Sequence, residues 1–572
     1  MNTQKIERVD GIPLIVHWLL KMRVPELIDA IWHPHGHWQG LSYGQLALLL
    51  LTFIIYTHTH KLSQVEEWEC EHHHTLELST GWQIGAKDLT DDRMGRLMEV
   101  LGEDEAQSAA YQQQQSQHLI RAYVLPTAVA RYDTTTFSVY HDPAAKTDSA
   151  DFLSFGHSKD QRPDLRQYKL GVSTLDPAGI PLLANVLNGK GADDPLYIPA
   201  WRNTCATLGH REFLFVADCK ASALETRATL AAEGGRYLFP QTMTGDVPEL
   251  LAAWVAKPPA APQAIVLDAA EDPTPIGQGF VVERTLTATT ETGQPHRWTE
   301  RWLVTQSYAH TQREEQRLHA RLDKAERQVQ QLRAKAEETA VEFLARAQRV
   351  LQHHHVANLF NLTVSETCTT RRRYLQRGRP GPDTPYEEVP ARQLHLQMQR
   401  DTDMIAQAQQ LLGWRIYLTN VPAAQMSLAQ ATVYYRDQWL NERGYHRFKR
   451  GSLPALPLFL RIPARIKGLM LLLLVALQAL TLLEFVVQRE LARQEETLAG
   501  LVPGNPRMRT ARPSAERLLV AFDYLHLLIT TSSTQCEGHL VEPLSALQQR
   551  ILAFLQFPEA IYRLEFSNVC AT

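Results

Sequence analysis

Tyr435-Arg-Asp-Gln438-Trp-Leu-Asn-Glu442-Arg-Gly-Tyr-His446-Arg-Phe-Lys449 is the stretch on which the reading of this chain turns. Tyr435, Glu442 and Lys449 recur every seven residues, and on a helix of 3.6 residues per turn each step leaves a common line by roughly 20°. A stripe carrying an aromatic ring, a carboxylate and a lysine is a poor one to bury. It suits a surface that grips a nucleic-acid phosphate beside a metal ion, provided that further carboxylates stand nearby. Just upstream, Gly413-Trp-Arg-Ile-Tyr-Leu-Thr-Asn420 reads as a strand.

The chain has 572 residues, more than one ordinary core accommodates, so about two to four domains are expected. Hydrophobic residues make up 44% and charged residues 21%, which excludes a disordered chain. A net charge of −4 excludes a protein that is basic all over but leaves room for a local basic surface. Cys70, Cys205, Cys219, Cys368, Cys536 and Cys570 form no CxxC pair, a pattern of free thiols in a reducing compartment and not of a disulfide framework or zinc ribbon. The first residues lack the apolar run of a signal peptide. The apolar stretch from Gly468 to Val487 is interrupted by Gln478, Thr481 and Glu484, so a buried core helix is expected, not a membrane span. The expected location is cytoplasmic, with no membrane partner.

Residues 1–105 read as a helical N-terminal domain and the glutamine-rich 106–121 as an exposed helix or linker. From 122 to 245 the character changes to strands. Ala128 to Tyr140 is rich in β-branched and aromatic residues, Tyr168 to Leu175 and Ile180 to Leu187 read as an antiparallel hairpin about Asp176-Pro-Ala-Gly179, and Glu212-Phe-Leu-Phe-Val-Ala-Asp218 reads as a strand buried on both faces. Residues 246–410 form an inserted β unit followed by a long charged helix hairpin, 411–490 hold a strand and the Glu442 helix, and 491–572 read as helical. The expected fold class is α/β.

Asp133 lies mid-strand, Asp218 at the end of a buried strand and Glu442 on a helix. Taken singly, each has an ordinary explanation: an exposed strand aspartate, a cap on the next turn, a solvated helix glutamate. Together they are more specific, because a charged group after Phe-Leu-Phe-Val-Ala is costly without a partner. Hard oxygen ligands on two strands and a helix suit a pair of Mg²⁺ ions about 3.5–4 Å apart, the arrangement for in-line attack at phosphate.

In that order Asp133, Asp218 and Glu442, with Tyr435-x2-Gln438-x3-Glu442-x6-Lys449, resemble the DDE transposases of bacterial insertion sequences, whose signature is Tyr-x2-Arg-x3-Glu-x6-Lys. Tyr132-Asp133-Thr-Thr-Thr-Phe137, Gly156-His-Ser-Lys-Asp-Gln-Arg-Pro-Asp-Leu165, Val216-Ala-Asp218-Cys-Lys-Ala-Ser222, Arg377-Gly-Arg-Pro380 and Val9-Asp-Gly-Ile-Pro13 agree with it. The resemblance implies an RNase H-like mixed sheet core, with Asp133 on its first strand, Asp218 on the fourth and Glu442 on a following helix. It also implies a β-rich and helical insertion between Asp218 and Glu442, and flanking helical regions. As activity it implies metal-dependent cleavage at transposon ends and attack of the 3′-hydroxyl on target DNA, with Mg²⁺, or Mn²⁺ in its place, held by Asp133, Asp218 and Glu442. The implied partners are terminal inverted repeats and target DNA, bound by a homodimer in a synaptic complex, with the helices of 1–105 as candidates for end recognition. Gln438 stands where the signature has arginine, which exchanges a charged phosphate contact for a neutral one.

Around this site, Tyr435, Gln438, His446, Lys449, Lys159 and Arg162 are candidate DNA contacts, with Lys169 beside them. So are Arg371, Arg372, Arg373, Arg377 and Arg379, five arginines in nine residues. Arg447, Arg450, Arg461, Arg465 and Lys467 form a second basic stretch beyond Glu442. Such contacts position DNA without reading its sequence. His72 to His74 lack zinc-motif spacing and read as a polar helix terminus. Two alternatives stay open: a structure-selective nuclease of the same fold, and a DNA-binding relative whose catalysis has decayed.

Overall fold

The chain is mixed α/β, and its largest sheet has nine strands, both parallel and antiparallel. The computed structural model describes residues 3–141, 152–266, 274–335, 337–531 and 535–569. Two units emerge from the contacts, one of Met1–Phe239, Thr285–Trp298 and Tyr434–Thr572, the other of Pro240–Arg284 and Thr299–Val433.

In the first unit the chain begins with a strand, β1 (Thr3–Arg8), antiparallel to His526–Thr531. Gln535–Leu540 and Phe566–Val569 continue this four-stranded sheet. This corrects two expectations, a purely helical 1–105 and a helical 491–572. Helices do occupy Ala515–Val520 and Ala546–Phe554, but Tyr524 takes a positive φ of 69° and His-Leu-Leu-Ile-Thr-Thr behind it is rich in the β-branched residues that strands favour.

The core strands are β2 (Val129–Val139), β3 (Arg166–Leu175), β4 (Ile180–Asn188), β5 (Leu214–Val216) and β6 (Arg236–Pro240), side by side in the order β4-β3-β2-β5-β6. β3 runs antiparallel to β2 and β4, while β5 is parallel to β2 and to β6. β2 and β3 are buried along almost their whole length, as their unbroken apolar and threonine-rich runs require.

Residues 106–121 are not a linker. They lie within the helix Glu105–Tyr123, which Asp104 caps by accepting from the amides of Ala106 and Gln107. Its polar residues satisfy neighbouring backbone: Gln112 accepts from the Ala184 amide of β4 at 2.6 Å and Ser116 donates to the Leu182 carbonyl at 2.6 Å. The helix Pro463–Arg493 is long and apolar enough to cross a bilayer, yet it is buried inside the protein as a core helix. Gln478 within it donates to the Pro181 carbonyl at 3.0 Å.

The second unit includes β7 (Gln263–Ile265), antiparallel to β8 (Gly277–Thr289), together with β8 as far as Arg284 and β9 (Pro295–Ser307) from Thr299 onward. Helices Tyr308–Gln330 and Ala340–His353 follow as the expected hairpin, joined through Leu318, Leu322, Ala325 and Val329 on one side and Ala347 and Leu351 on the other. β10 (Phe360–Tyr374) and β11 (Tyr386–Arg400) then make a two-stranded antiparallel ribbon, rooted on the helices by Phe360, Leu362, Leu396 and Met398. β12 (Trp414–Thr419) pairs antiparallel with β9.

Candidate active site

β2 and β5 pair in parallel with Arg131 opposite Val216. Two residues further along each chain stand Asp133 and Asp218, so continuing the register sets the two carboxylates opposite each other and on one face. Asp133 keeps its place in the ladder opposite Val172, and its Oδ1 accepts from the Thr134 amide at 2.8 Å. Asp218 lies beyond the end of β5 and caps the short turn Cys219–Ser222. Its Oδ1 accepts from the Lys220 amide at 3.0 Å and from the Tyr197 hydroxyl. The capping role is therefore real, but it occupies one oxygen only.

Glu442 stands exposed on the helix Trp439–Lys449. That helix is docked by residues on its buried face: the Tyr445 hydroxyl donates to the Asp133 carbonyl at 2.5 Å, and Asn441 accepts from the Thr174 hydroxyl at 2.5 Å. Burial raises the Asp133 carboxyl to about 6, the Lys159 ammonium and Thr134 amide pull it down, and the charges of Asp218 and Glu442 push it up again. Asp133 thus feels the charges of both Asp218 and Glu442.

Among the described residues no group of three His, Cys, Asp or Glu side chains is drawn close enough to hold a metal ion. The donor chemistry nevertheless fits a hard divalent cation. Among those residues Oδ2 of Asp133, Oδ2 of Asp218 and the Glu442 carboxylate meet no protein donor, and the repulsion that Asp218 and Glu442 exert on Asp133 is what such a cation relieves. They are the residues that would hold it.

The single helical stripe of Tyr435, Glu442 and Lys449 is corrected. One helix ends at Arg436 and the next starts at Trp439. Between them the amides of Gln438, Leu440 and Asn441 donate three residues back, to Tyr435, Asp437 and Gln438, and this tightening breaks the 3.6-residue period. Tyr435 and half-buried Gln438 thus precede the helix on which Glu442, exposed His446 and Lys449 stay on one side.

Lys449 is held by Asp160 at 2.7 Å, over the Phe137 ring at 5.6 Å. Lys159 donates to the Thr134 hydroxyl at 2.8 Å and to its carbonyl. Arg162 is forked onto Asp164 at 2.8 and 2.7 Å. Arg371, Arg372 and Arg373 end β10 and Arg377 and Arg379 lie in the tip beyond it, all exposed. Of these, Arg372 stacks on Tyr386 at 4.4 Å and Arg373 pairs with Glu387 at 3.4 Å.

Other basic residues are structural. Lys169 is buried against Asp193, and Arg447 lies buried between Glu484 and Glu516, the latter at 2.9 Å. Arg465 pairs with Glu99 at 3.2 Å and Lys467 with Glu105 at 2.5 Å. His72 to His74 sit within the helix Val65–Thr80, not at its terminus, where His73 meets Glu69 at 2.5 Å and His74 meets Glu7 at 2.8 Å.

Sequence reasoning missed Tyr197, Asn441 and Tyr445. The last two were legible in principle: with Phe448 they form a buried stripe at helical spacing opposite Glu442. Nothing in Asp193-Asp-Pro-Leu-Tyr197-Ile-Pro marks its tyrosine. No protein-family model and no curated protein matches the chain.

Proposed function

We propose that this chain is a DNA transposase of the insertion-sequence type, with an RNase H-like catalytic core that cleaves transposon ends and transfers the strand to target DNA. One observation carries the reading: Asp133 on β2 and Asp218 just past the end of β5 each stand two residues beyond the paired Arg131 and Val216 of these neighbouring parallel strands, with the Glu442 helix tied to the backbone of Asp133 itself. Counted from β2, Asp133 lies on the first strand, Asp218 follows the fourth and Glu442 is on a later helix, the placement that the resemblance implies. The insertion also falls between Asp218 and Glu442.

Mg²⁺, or Mn²⁺ in its place, held by Asp133, Asp218 and Glu442, would supply Lewis-acid polarisation of the scissile phosphate and a more acidic nucleophile. The chain's own residues do the rest. Asp133 has to be ionised to act, which its burial, and then the charges of Asp218 and Glu442, resist. Lys449 and Lys159 bring positive charge to the rim, where Lys449 would exchange Asp160 for a DNA phosphate. Gln438 offers a neutral hydrogen bond where the related signature has a charged one. Arg371 to Arg379 offer sequence-independent phosphate contacts from the ribbon. The protein would act as a homodimer on paired ends.

The test is cleavage of a labelled duplex carrying the element's terminal inverted repeats, with Mg²⁺. Nicking at the repeat boundary and joining of the 3′ end to a second duplex is the expected result. Equal cutting of unrelated DNA would make the protein a nuclease of the same fold. Binding without cutting, restored only by Gln438→Arg, would make it a decayed relative.

A further inference from the structure

The side chain that fixes the second aspartate is one that no motif marks. Tyr197 is the first residue of the helix Tyr197–Leu208 and is buried. Its hydroxyl donates to Oδ1 of Asp218, the oxygen that already accepts from the Lys220 amide at 3.0 Å. Two donors on one carboxylate oxygen resist rotation about the Cβ–Cγ bond, because turning the group breaks both hydrogen bonds. Oδ2 is left without a protein donor among the described residues.

The surroundings hold Tyr197 in turn. Its ring meets that of Tyr132 edge-on at 5.7 Å, and Tyr132 is the neighbour of Asp133 on β2. The Tyr132 ring itself lies against Gly171 of β3, where a Cβ would stand 2.2 Å from its hydroxyl oxygen. One aromatic pair therefore links the strand that carries Asp133 to the helix whose tyrosine holds Asp218. Upstream of the helix, Asp193 is tied to Lys169 of β3, which also donates to the Gly191 carbonyl at 2.6 Å.

We propose that Tyr197 is a positioning residue for Asp218: with the Lys220 amide it holds Oδ1, so that Oδ2 is the oxygen presented to a divalent cation. This rests on the reading of Asp133, Asp218 and Glu442 as cation-binding carboxylates. Partners of this kind behind a metal ligand are worth 10–100-fold in metal affinity.

The experiment is a titration of the full chain with Mn²⁺, followed by the loss of the free-ion electron paramagnetic resonance signal. It compares the wild type with Tyr197→Phe, Asp218→Asn and Tyr111→Phe, the last removing a buried hydroxyl that has no partner. Circular dichroism in EDTA reports the fold of each. Tyr197→Phe is expected to stay folded and to bind Mn²⁺ about tenfold or more weakly, while Tyr111→Phe binds as the wild type does. Wild-type affinity in Tyr197→Phe, with Asp218→Asn impaired, overturns the proposal and leaves the cation reading standing. A wild type that takes up no Mn²⁺, or an Asp218→Asn variant that binds it unchanged, overturns that reading and the proposal together. If Tyr197→Phe does not fold, Lys220→Pro removes the other donor on the same oxygen. It also removes a positive charge that repels the ion, so weaker binding there supports the proposal and unchanged or tighter binding overturns it.

Discussion

The hydroxyl of Tyr445 donates to the backbone carbonyl of Asp133 at 2.5 Å, joining the helix that carries Glu442 to the strand that carries Asp133. A side chain on one candidate ligand's helix thus sets its distance from the other ligand's main chain. Tyr445→Phe keeps the buried ring and loses the tie. The cost in stability should be about 1 kcal/mol, while cleavage at the repeat boundary falls by about tenfold or more. Denaturant melts and single-turnover cleavage check the two effects separately.

Asp133 gives a pH prediction. Its folded-state value is about 6, above the ordinary carboxylate value of 3.8, so the folded protein binds the proton more tightly than the unfolded chain. The ionised group therefore costs stability at high pH, and the cost disappears as pH falls through about 6 to 4. In EDTA, Asp133→Asn should melt above the wild type at pH 8, by up to about 3 kcal/mol, and match it near pH 4. Equal melting at pH 8 would contradict the burial and repulsion described. Cleavage should be lost in the same variant.

Lys449 is paired with Asp160 in the absence of DNA. Lys449→Ala should weaken binding to repeat and unrelated DNA alike and flatten its logarithmic salt dependence by about 0.9. Asp160→Asn, which frees the ammonium, should tighten binding. Fluorescence anisotropy across a salt series measures both, and an unchanged slope in Lys449→Ala removes it from the phosphate contacts.

Arg447 lies only two residues from Lys449, yet its partners are Glu484 and Glu516 in the interior. Arg447→Ala strands a buried carboxylate and should cost about 3–5 kcal/mol. Thermal melts should show the loss, with the salt dependence of DNA binding unchanged at temperatures where the variant is folded.

What the sequence disclosed follows the range of the forces involved. β2 to β5 declare themselves through uninterrupted β-branched and aromatic runs, and Asp218 stands out because a charge ends an apolar run. β1 does not, because its pairing with His526–Thr531 joins opposite ends of the chain and Thr-Gln-Lys-Ile-Glu-Arg has no apolar alternation of its own. β10 and β11 are polar along both faces of their exposed ends, so neither period appears. Gln112 looks solvated until β4 is placed beside it, and Gln115 until the Met22 carbonyl is. Lys169 and Arg447 look like surface charges because Asp193, Glu484 and Glu516 are distant in sequence. The tightened turn at Asp437 and Gln438 contains no proline or glycine, and so nothing warned that the Tyr435 stripe breaks there.

Asp133, Asp218 and Glu442 are proposed to act as one catalytic group. The most direct measurement is Mg²⁺-dependent nicking of a repeat-bearing duplex by the wild type and by Asp133→Ala, Asp218→Ala and Glu442→Ala, each shown to be folded and to bind the duplex. The expected result is nicking by the wild type alone, abolished by EDTA, and loss of cleavage with binding retained in all three variants. Cleavage that survives in any one of them, or that proceeds equally in EDTA, would contradict it.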